Sequence, residues 1–322
     1  MKVPLFEIAD IPGKGRGLIA SCDIAPGTRI LCERPLFIVP PLVPDALEIY
    51  LADQMKALPK EDLYHCLSLR NNFRGRHTFG GIVRTNGLPC GFVADADAAL
   101  YRTLCLINHS CLPNSQHRWD PHLKQEIVHA FRPIRRGEEI TIWYGGSGPT
   151  ADRQAFLLAA LGFQCECTMC LRPPLLKARD DEIWIMIQSL AQRLRYFQGY
   201  VDFPAEMLKD CHTLLALLDR IYEGYPGLLK AVTYFDALQI CSTHGDQARA
   251  SILAQRSYEA RVICEGGDTS DAHQLKTLAE RPMQHAGFEE YSSQWRSMKE
   301  DVPQGLDAKA FERWLFRIDG SA

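Results

Sequence analysis

The chain has 322 residues, 46% hydrophobic and 23% charged, with a formal net charge of −3. This composition excludes a disordered chain and leaves room for about two domains. The near-balanced charge provides no global basic field for nucleic acid, and no run of about 18 apolar residues is present to span a membrane.

Along the chain, Met1-Lys2-Val3-Pro4-Leu5-Phe6-Glu7 lacks a sustained apolar stretch and does not read as a secretory signal. A glycine-rich block follows, Gly13-Lys14-Gly15-Arg16-Gly17-Leu18, which on its own could simply serve a turn. Short β-branched or aromatic runs bounded by turn residues predict strands at 29–32, 36–39, 126–130 and 139–144. Leu47, Leu51, Met55, Leu58, Leu63 and Leu67 fall at helical spacing over residues 45–69, with a break at Pro59. A second helix is expected from Thr150, as N-cap, to Leu161, with Gly162 as the stop. Beyond Pro173-Pro174 the character changes. Ile183, Trp184, Ile187, Leu190, Ala191 and Leu194 mark one helical face, and similar patterns cover 204–223, 228–242, 246–264 and 270–280. Short connections between them predict antiparallel helical hairpins. The expected division is therefore 1–172 and an all-helical 173–322.

Twelve cysteines without a secretory signal point to a reduced compartment, cytoplasmic and/or nuclear, where clustered thiols mark metal sites. Cys165-Glu166-Cys167-Thr168-Met169-Cys170 places three thiols where they can converge on one tetrahedral zinc, which needs a fourth ligand from elsewhere. Two further blocks carry dense polar chemistry: Asn108-His109-Ser110-Cys111-Leu112-Pro113-Asn114 and Arg136-Gly137-Glu138-Glu139-Ile140-Thr141-Ile142-Trp143-Tyr144. Read alone, His109 could be a core histidine, Tyr144 a packed strand aromatic, and Glu138 and Glu139 a solvated pair at a turn.

Taken together and in this order, the glycine block, the Asn-His-Ser-Cys-x-Pro-Asn and Gly-Glu-Glu-Ile-x-x-x-Tyr blocks and the terminal Cys-x-Cys-x-x-Cys resemble the SET-domain methyltransferases. The resemblance covers about residues 1–172 and is closest to the SET-and-MYND group. Leu69-Arg70-Asn71-Asn72-Phe73 and Arg84-Thr85-Asn86-Gly87-Leu88-Pro89 are typical of a fungal branch. The MYND finger is missing: no second Cys/His cluster lies between residues 33 and 100, where Cys66 and Cys90 stand alone.

The resemblance implies an α+β fold: a β-rich SET domain with a helical insertion at about 41–80, a zinc-bound post-SET segment at 162–172 and an all-α C-terminal region. It implies S-adenosylmethionine as cofactor, met by backbone groups of Lys14, Gly15 and Arg16. Asn86, Asn108 and His109 would hold its amino-acid and adenine parts, Phe163 would stack on the adenine, and Tyr144 would stand at the methyl-transfer channel as the catalytic residue. Cys111 matches the family cysteine that joins Cys165, Cys167 and Cys170 on one structural Zn2+. Glu138 and Glu139 would be structural.

Two positions depart from the pattern. Leu161 stands where lysine-modifying relatives commonly carry a second tyrosine, and Trp143 fills a position usually held by a small residue. A lysine acceptor must lose a proton, with a pKa of about 10.4 in water, whereas a carboxylic acid, with a pKa of about 4, is already ionised near pH 7. The expected acceptor is a protein lysine. A small-molecule carboxylic acid, oriented by His117 and Arg118, stands almost level, and a non-catalytic scaffold that binds a partner through its helices is a third reading.

Overall fold

The computed structural model describes residues 4–90 and 98–318. The chain packs as two compact units, 1–177 and 178–322.

In the first unit, β1 (Phe6–Ile11) and β2 (Gly15–Ala20) form a hairpin across the glycine-rich turn. They are followed by β3 (Arg29–Glu33) and β4 (Phe37–Val39). Pro44 opens α1 (Pro44–Ala57), where a missing N–H costs nothing, and Pro59 separates it from α2 (Lys60–Leu67). The break expected at Pro59 is therefore present. A third helix, α3 (Thr78–Asn86), was not expected from the sequence and runs past the anticipated edge of the insertion. The strands continue with β5 (Leu88–Pro89), β6 (Ala98–Leu100), β7 (Asn108–His109), β8 (Ser115–Asp120), β9 (Gln125–Ala130) and β10 (Glu139–Ile142). They make three small sheets, ordered β1-β2-β10-β7, β3-β9-β8 and β4-β6-β5. Leu18, Leu51, Leu100, Ile107, Val128, Ile140 and Ile142 are fully buried and form the core between sheets and insertion.

The parallel pair of β7 and β10 decides the site, because it aligns Asn108 with Thr141 and His109 with Ile142. Two sequence blocks some thirty residues apart thereby become neighbours. After β10 comes α4 (Thr150–Leu161), closed by Gly162 in the left-handed conformation at φ +74°. Its N-cap is Pro149 rather than Thr150. Proline fixes the entry angle, and the Thr150 hydroxyl accepts from the Arg153 guanidinium.

The second unit contains most of α5 (Pro174–Leu194), then α6 (Gln198–Asp202), α7 (Pro204–Ile221), α8 (Leu228–Thr243), α9 (Gln247–Glu265), α10 (Ser270–Glu280) and α11 (Ala308–Leu315). Small residues let α9 approach its neighbours closely: Ala250, Ala254 and Ser257 are buried, and Ser257 and Ser251 donate to carbonyls of α8 and α10. Asp246 is fully buried and accepts from Arg249, Arg317 and Ser297, which ties the chain end back to the start of α9. Among the described residues no helix is long and apolar enough to cross a membrane.

Candidate active site and thiol cluster

Tyr144 follows β10 by two residues and is tied twice to β7 and the residue before it. Its backbone N–H donates to Nδ1 of His109 at 3.1 Å, and its hydroxyl donates to the Ile107 carbonyl at 2.5 Å. The two rings are held 5.4 Å apart. A nitrogen that accepts an N–H carries no proton, so the donor geometry assigns the imidazole proton to Nε2. That nitrogen lies 3.5 Å from Cys111 Sγ, in place to donate to a thiolate. Burial lowers the His109 pKa to about 4, with Lys14 and Arg153 pushing the same way against Cys167. The imidazole is thus neutral near pH 7. Burial also raises the Tyr144 phenol above its ordinary range, with help from Cys105 and Glu139.

Glu139 links the glycine turn to the Asn-His strand. One carboxylate oxygen accepts from Lys14 Nζ at 2.6 Å and the other from Asn108 Nδ2 at 2.9 Å, while Asn108 Nδ2 also donates to the Arg16 carbonyl. Gly17 permits this approach, since a Cβ there would lie 2.8 Å from Asn108 Nδ2. The expected structural role of Glu139 is visible as this bridge, and Glu138 likewise accepts from Arg132 and Asn114.

All eight residues selected for cofactor and methyl transfer (Lys14, Gly15, Arg16, Asn86, Asn108, His109, Tyr144 and Phe163) line one cavity of about 750 Å3. The Lys14 N–H is taken up by Ile11. Asn86 Nδ2 donates to the carbonyls of Arg70 and Ile82, both at 2.7 Å. Both amide protons of Asn86 and of Asn108 are therefore spent within the protein, and what each side chain can offer a ligand is its oxygen. The Phe163 ring meets Tyr144 edge-on at 6.5 Å. Beside the cavity is a much smaller one of about 40 Å3 that shares Thr85, Asn86, Cys105 and Tyr144 with it and adds Leu88, Leu104 and Leu161.

Cys111, Cys165, Cys167 and Cys170 are all buried, with their sulfurs within 4.8 Å of one another. Cys111 Sγ lies 3.6 Å from Cys170 Sγ and 3.9 Å from Cys165 Sγ. A tetrahedral zinc with Zn–S bonds of about 2.3 Å has sulfur edges of about 3.8 Å, so the donor set fits. Gln154 clamps Cys165 by bonding both its carbonyl and its N–H. Arg153, 1% exposed, places its guanidinium against Cys111 and Cys170. A buried cation there matches a cluster of thiolates, the charge state that metal binding imposes.

His117 and Arg118 are not acceptor-site donors. His117 pairs with Glu126 at 2.7 Å and Arg118 with Asp120 at 3.1 Å along the β8–β9 hairpin, and neither lines either cavity. Trp143 is 47% exposed and donates to the Gly146 carbonyl. Sequence reasoning missed Arg70, Asn72 and Arg153. Arg153 has no local signal, because an arginine one turn into a helix ordinarily faces water.

The SET domain profile matches residues 15–145. The chain is also 30% identical over 293 residues to the histone-lysine N-methyltransferase set5 of Schizosaccharomyces pombe, an alignment covering 88% of this chain and 86% of that protein. The chain belongs to the SET-domain family. It is an S-adenosylmethionine-dependent methyltransferase. The fungal branch expected from residues 69–73 and 84–89 agrees with the fission-yeast relative. SET-and-MYND relatives are more distant. Mouse SMYD3, a histone-lysine N-methyltransferase, is 25% identical over 65% of this chain and 49% of its own length. Human SMYD2, an N-lysine methyltransferase, is 24% identical over 45% of this chain and 36% of its own length.

Proposed function

We propose that this SET-domain enzyme methylates the ε-amine of a lysine in a nuclear or cytoplasmic protein. The observation that carries the reading is the small cavity at Tyr144. Among the described residues that line it, Thr85, Asn86, Gly87, Leu88, Pro89, Leu104, Cys105, Tyr144 and Leu161, none is cationic. An apolar lining suits the lysine stem, worth about 0.8 kcal/mol per buried methylene, whereas a carboxylate would be desolvated without a partner. The pairing of His117 and Arg118 elsewhere removes the donors on which a carboxylic-acid acceptor depended. The relatives' names, histone-lysine and N-lysine methyltransferases, support the same acceptor.

In the large cavity, Lys14, Gly15 and Arg16 would offer backbone groups to the cofactor. The oxygens of Asn86 and Asn108 suit its ammonium group, and Phe163 gives the adenine an aromatic face. His109, with both ring nitrogens engaged, would contribute backbone groups and ring surface beside the amino-acid and adenine parts. S-adenosylmethionine supplies an electrophilic methyl on its sulfonium, taken by the acceptor nitrogen in line with the breaking carbon–sulfur bond. The four thiolates would hold a structural Zn2+ with no open coordination position. Tyr144 donates its proton to Ile107, so its oxygen remains an acceptor that orients the groups in the channel. It is not a general base: its phenol is neutral, and the amine must shed its proton to water before it attacks.

Incubation with tritiated S-adenosylmethionine, against histones and protein extract and separately against a metabolite extract, tests the acceptor. Label should enter protein as base-stable methyl-lysine, at a rate rising from pH 7 to 9 as the amine deprotonates. Tyr144→Phe should slow transfer by about 100–1,000-fold, the order that one positioned hydrogen-bonding group is worth in a transition state. Leu161→Tyr should leave lysine transfer intact or improved. Label released by base as methanol, from a small acid, would overturn the reading.

A further inference from the structure

Helix α4 ends in carbonyls that no later N–H of the helix can meet. The Gly162 N–H takes up the Leu158 carbonyl, and side chains from the helical insertion serve the three carbonyls beyond it. Arg84 donates from Nη2 to the Ala159 carbonyl at 2.6 Å and from Nε to Ala160 at 3.1 Å, and Asn72 Nδ2 donates to Leu161 at 2.8 Å. Three consecutive carbonyls are thus held from one side. The Arg84 guanidinium lies 3.7 Å over the Phe73 ring, and a Cβ on Gly162 would meet Phe73 at 3.2 Å.

The same segment reaches the opposite wall of the large cavity. Asn72 Oδ1 accepts from Arg70 Nε at 3.0 Å, and Arg70 Nη1 donates to the Gly13 carbonyl, also at 3.0 Å. The Asn72 backbone N–H is fixed by Thr85, whose hydroxyl is in turn anchored on Gly81. A continuous run of side-chain bonds therefore joins Gly13, through Arg70 and Asn72, to Leu161. At one end is the glycine turn, and at the other are Gly162 and Phe163. Arg70 and Arg84 are exposed, so the run costs little desolvation and holds the two sides by geometry.

We propose that Arg70, Asn72 and Arg84 are positioning residues that latch the two lips of the cofactor cleft, setting Phe163 against the glycine turn. The proposal rests on the cofactor reading above. It assigns the residues at 70–73 and 84 a job that the catalytic scheme leaves unused. Asn72 acts through Phe163 and touches neither the methyl nor the acceptor.

Calorimetric titration of the full chain with S-adenosylhomocysteine tests it as a double-mutant cycle. Asn72→Asp keeps the size and the Arg70 partner but turns the donor facing Leu161 into an acceptor. It should weaken binding by about tenfold, as should Phe163→Ala, while the double variant binds no more than about twofold worse than the weaker single. Zinc content should match the wild type throughout. Arg84→Lys, which keeps the charge and one donor, is read in the same cycle and carries the test if Asn72→Asp does not fold. Wild-type affinity in the latch variants, or losses that simply add to that of Phe163→Ala, would overturn the latch while leaving the cofactor reading intact. A wild-type chain that fails to bind S-adenosylhomocysteine would overturn the cofactor reading and the latch with it.

Discussion

Gly162→Ala should destabilise the first unit by about 1–4.5 kcal/mol. Gly162 has φ +74°, and a left-handed conformation costs a residue bearing a Cβ about 1–2 kcal/mol. The added carbon would also lie 2.9 Å from Asn72 Cβ and 3.2 Å from Phe73 Cζ, neighbours fixed by their own hydrogen bonds. Overpacking of that kind adds about 1–3 kcal/mol, and the lower entropy of the unfolded alanine chain returns about 0.4–1 kcal/mol. Scanning calorimetry should show a midpoint lowered by about 2–4 °C for each kcal/mol lost in a unit of this size. Gly162→Asn separates the two causes, because asparagine tolerates the left-handed region but still brings a Cβ. It should fall between wild type and alanine. An alanine variant melting within about 1 °C of wild type would refute the reading that close packing at Gly162 fixes how the chain leaves α4.

Purified protein should carry one zinc per chain, and Cys167→Ser should lose it together with S-adenosylhomocysteine affinity. Metal-free protein, or full retention in that variant, would contradict the four-thiolate site. Arg153→Leu should speed zinc loss to a chelator although all four thiols remain; an unchanged release rate would show that the buried cation does not stabilise the cluster. In the second unit, burial raises the Asp236 pKa from 3.8 to about 6. The folded state then holds more protons than the unfolded one between those values, so stability should fall as pH rises through that window and stay lower above it. Asp236→Asn should flatten this dependence in urea titrations at pH 4, 6 and 8 and stabilise the protein at pH 8 by about 1–2 kcal/mol. An asparagine variant less stable than wild type at pH 8 would refute it.

Local pattern made the repetitive parts legible. Helices α7 to α10 carry apolar stripes at helical spacing, and Asn108–Asn114 and Gly137–Tyr144 carry their chemistry in contiguous blocks. What escaped depends on distant partners. Helix α3 contains Gly80 and Gly81, each costing about 1 kcal/mol of helix propensity, and its first N–H groups are met by the Glu48 carboxylate of α1 at 2.9 and 2.8 Å. No window around residue 80 contains that cap. The Lys14–Glu139 contact spans 125 residues, and the buried Arg153 guanidinium meets Cys111 and Cys170, which the fold brings in from elsewhere. The same limit applied to His117, whose partner Glu126 lies across the β8–β9 pairing, whereas Arg118 is taken up by Asp120 two residues along its own strand.

A crystal structure of the chain with S-adenosylhomocysteine bound tests the central claim most directly. The ligand should fill the cavity between the glycine turn and Phe163, with its adenine against the Phe163 ring and its sulfur facing the Tyr144 end of the small apolar channel. Density for the ligand outside that cavity, or with its sulfur turned away from Tyr144, would contradict the account.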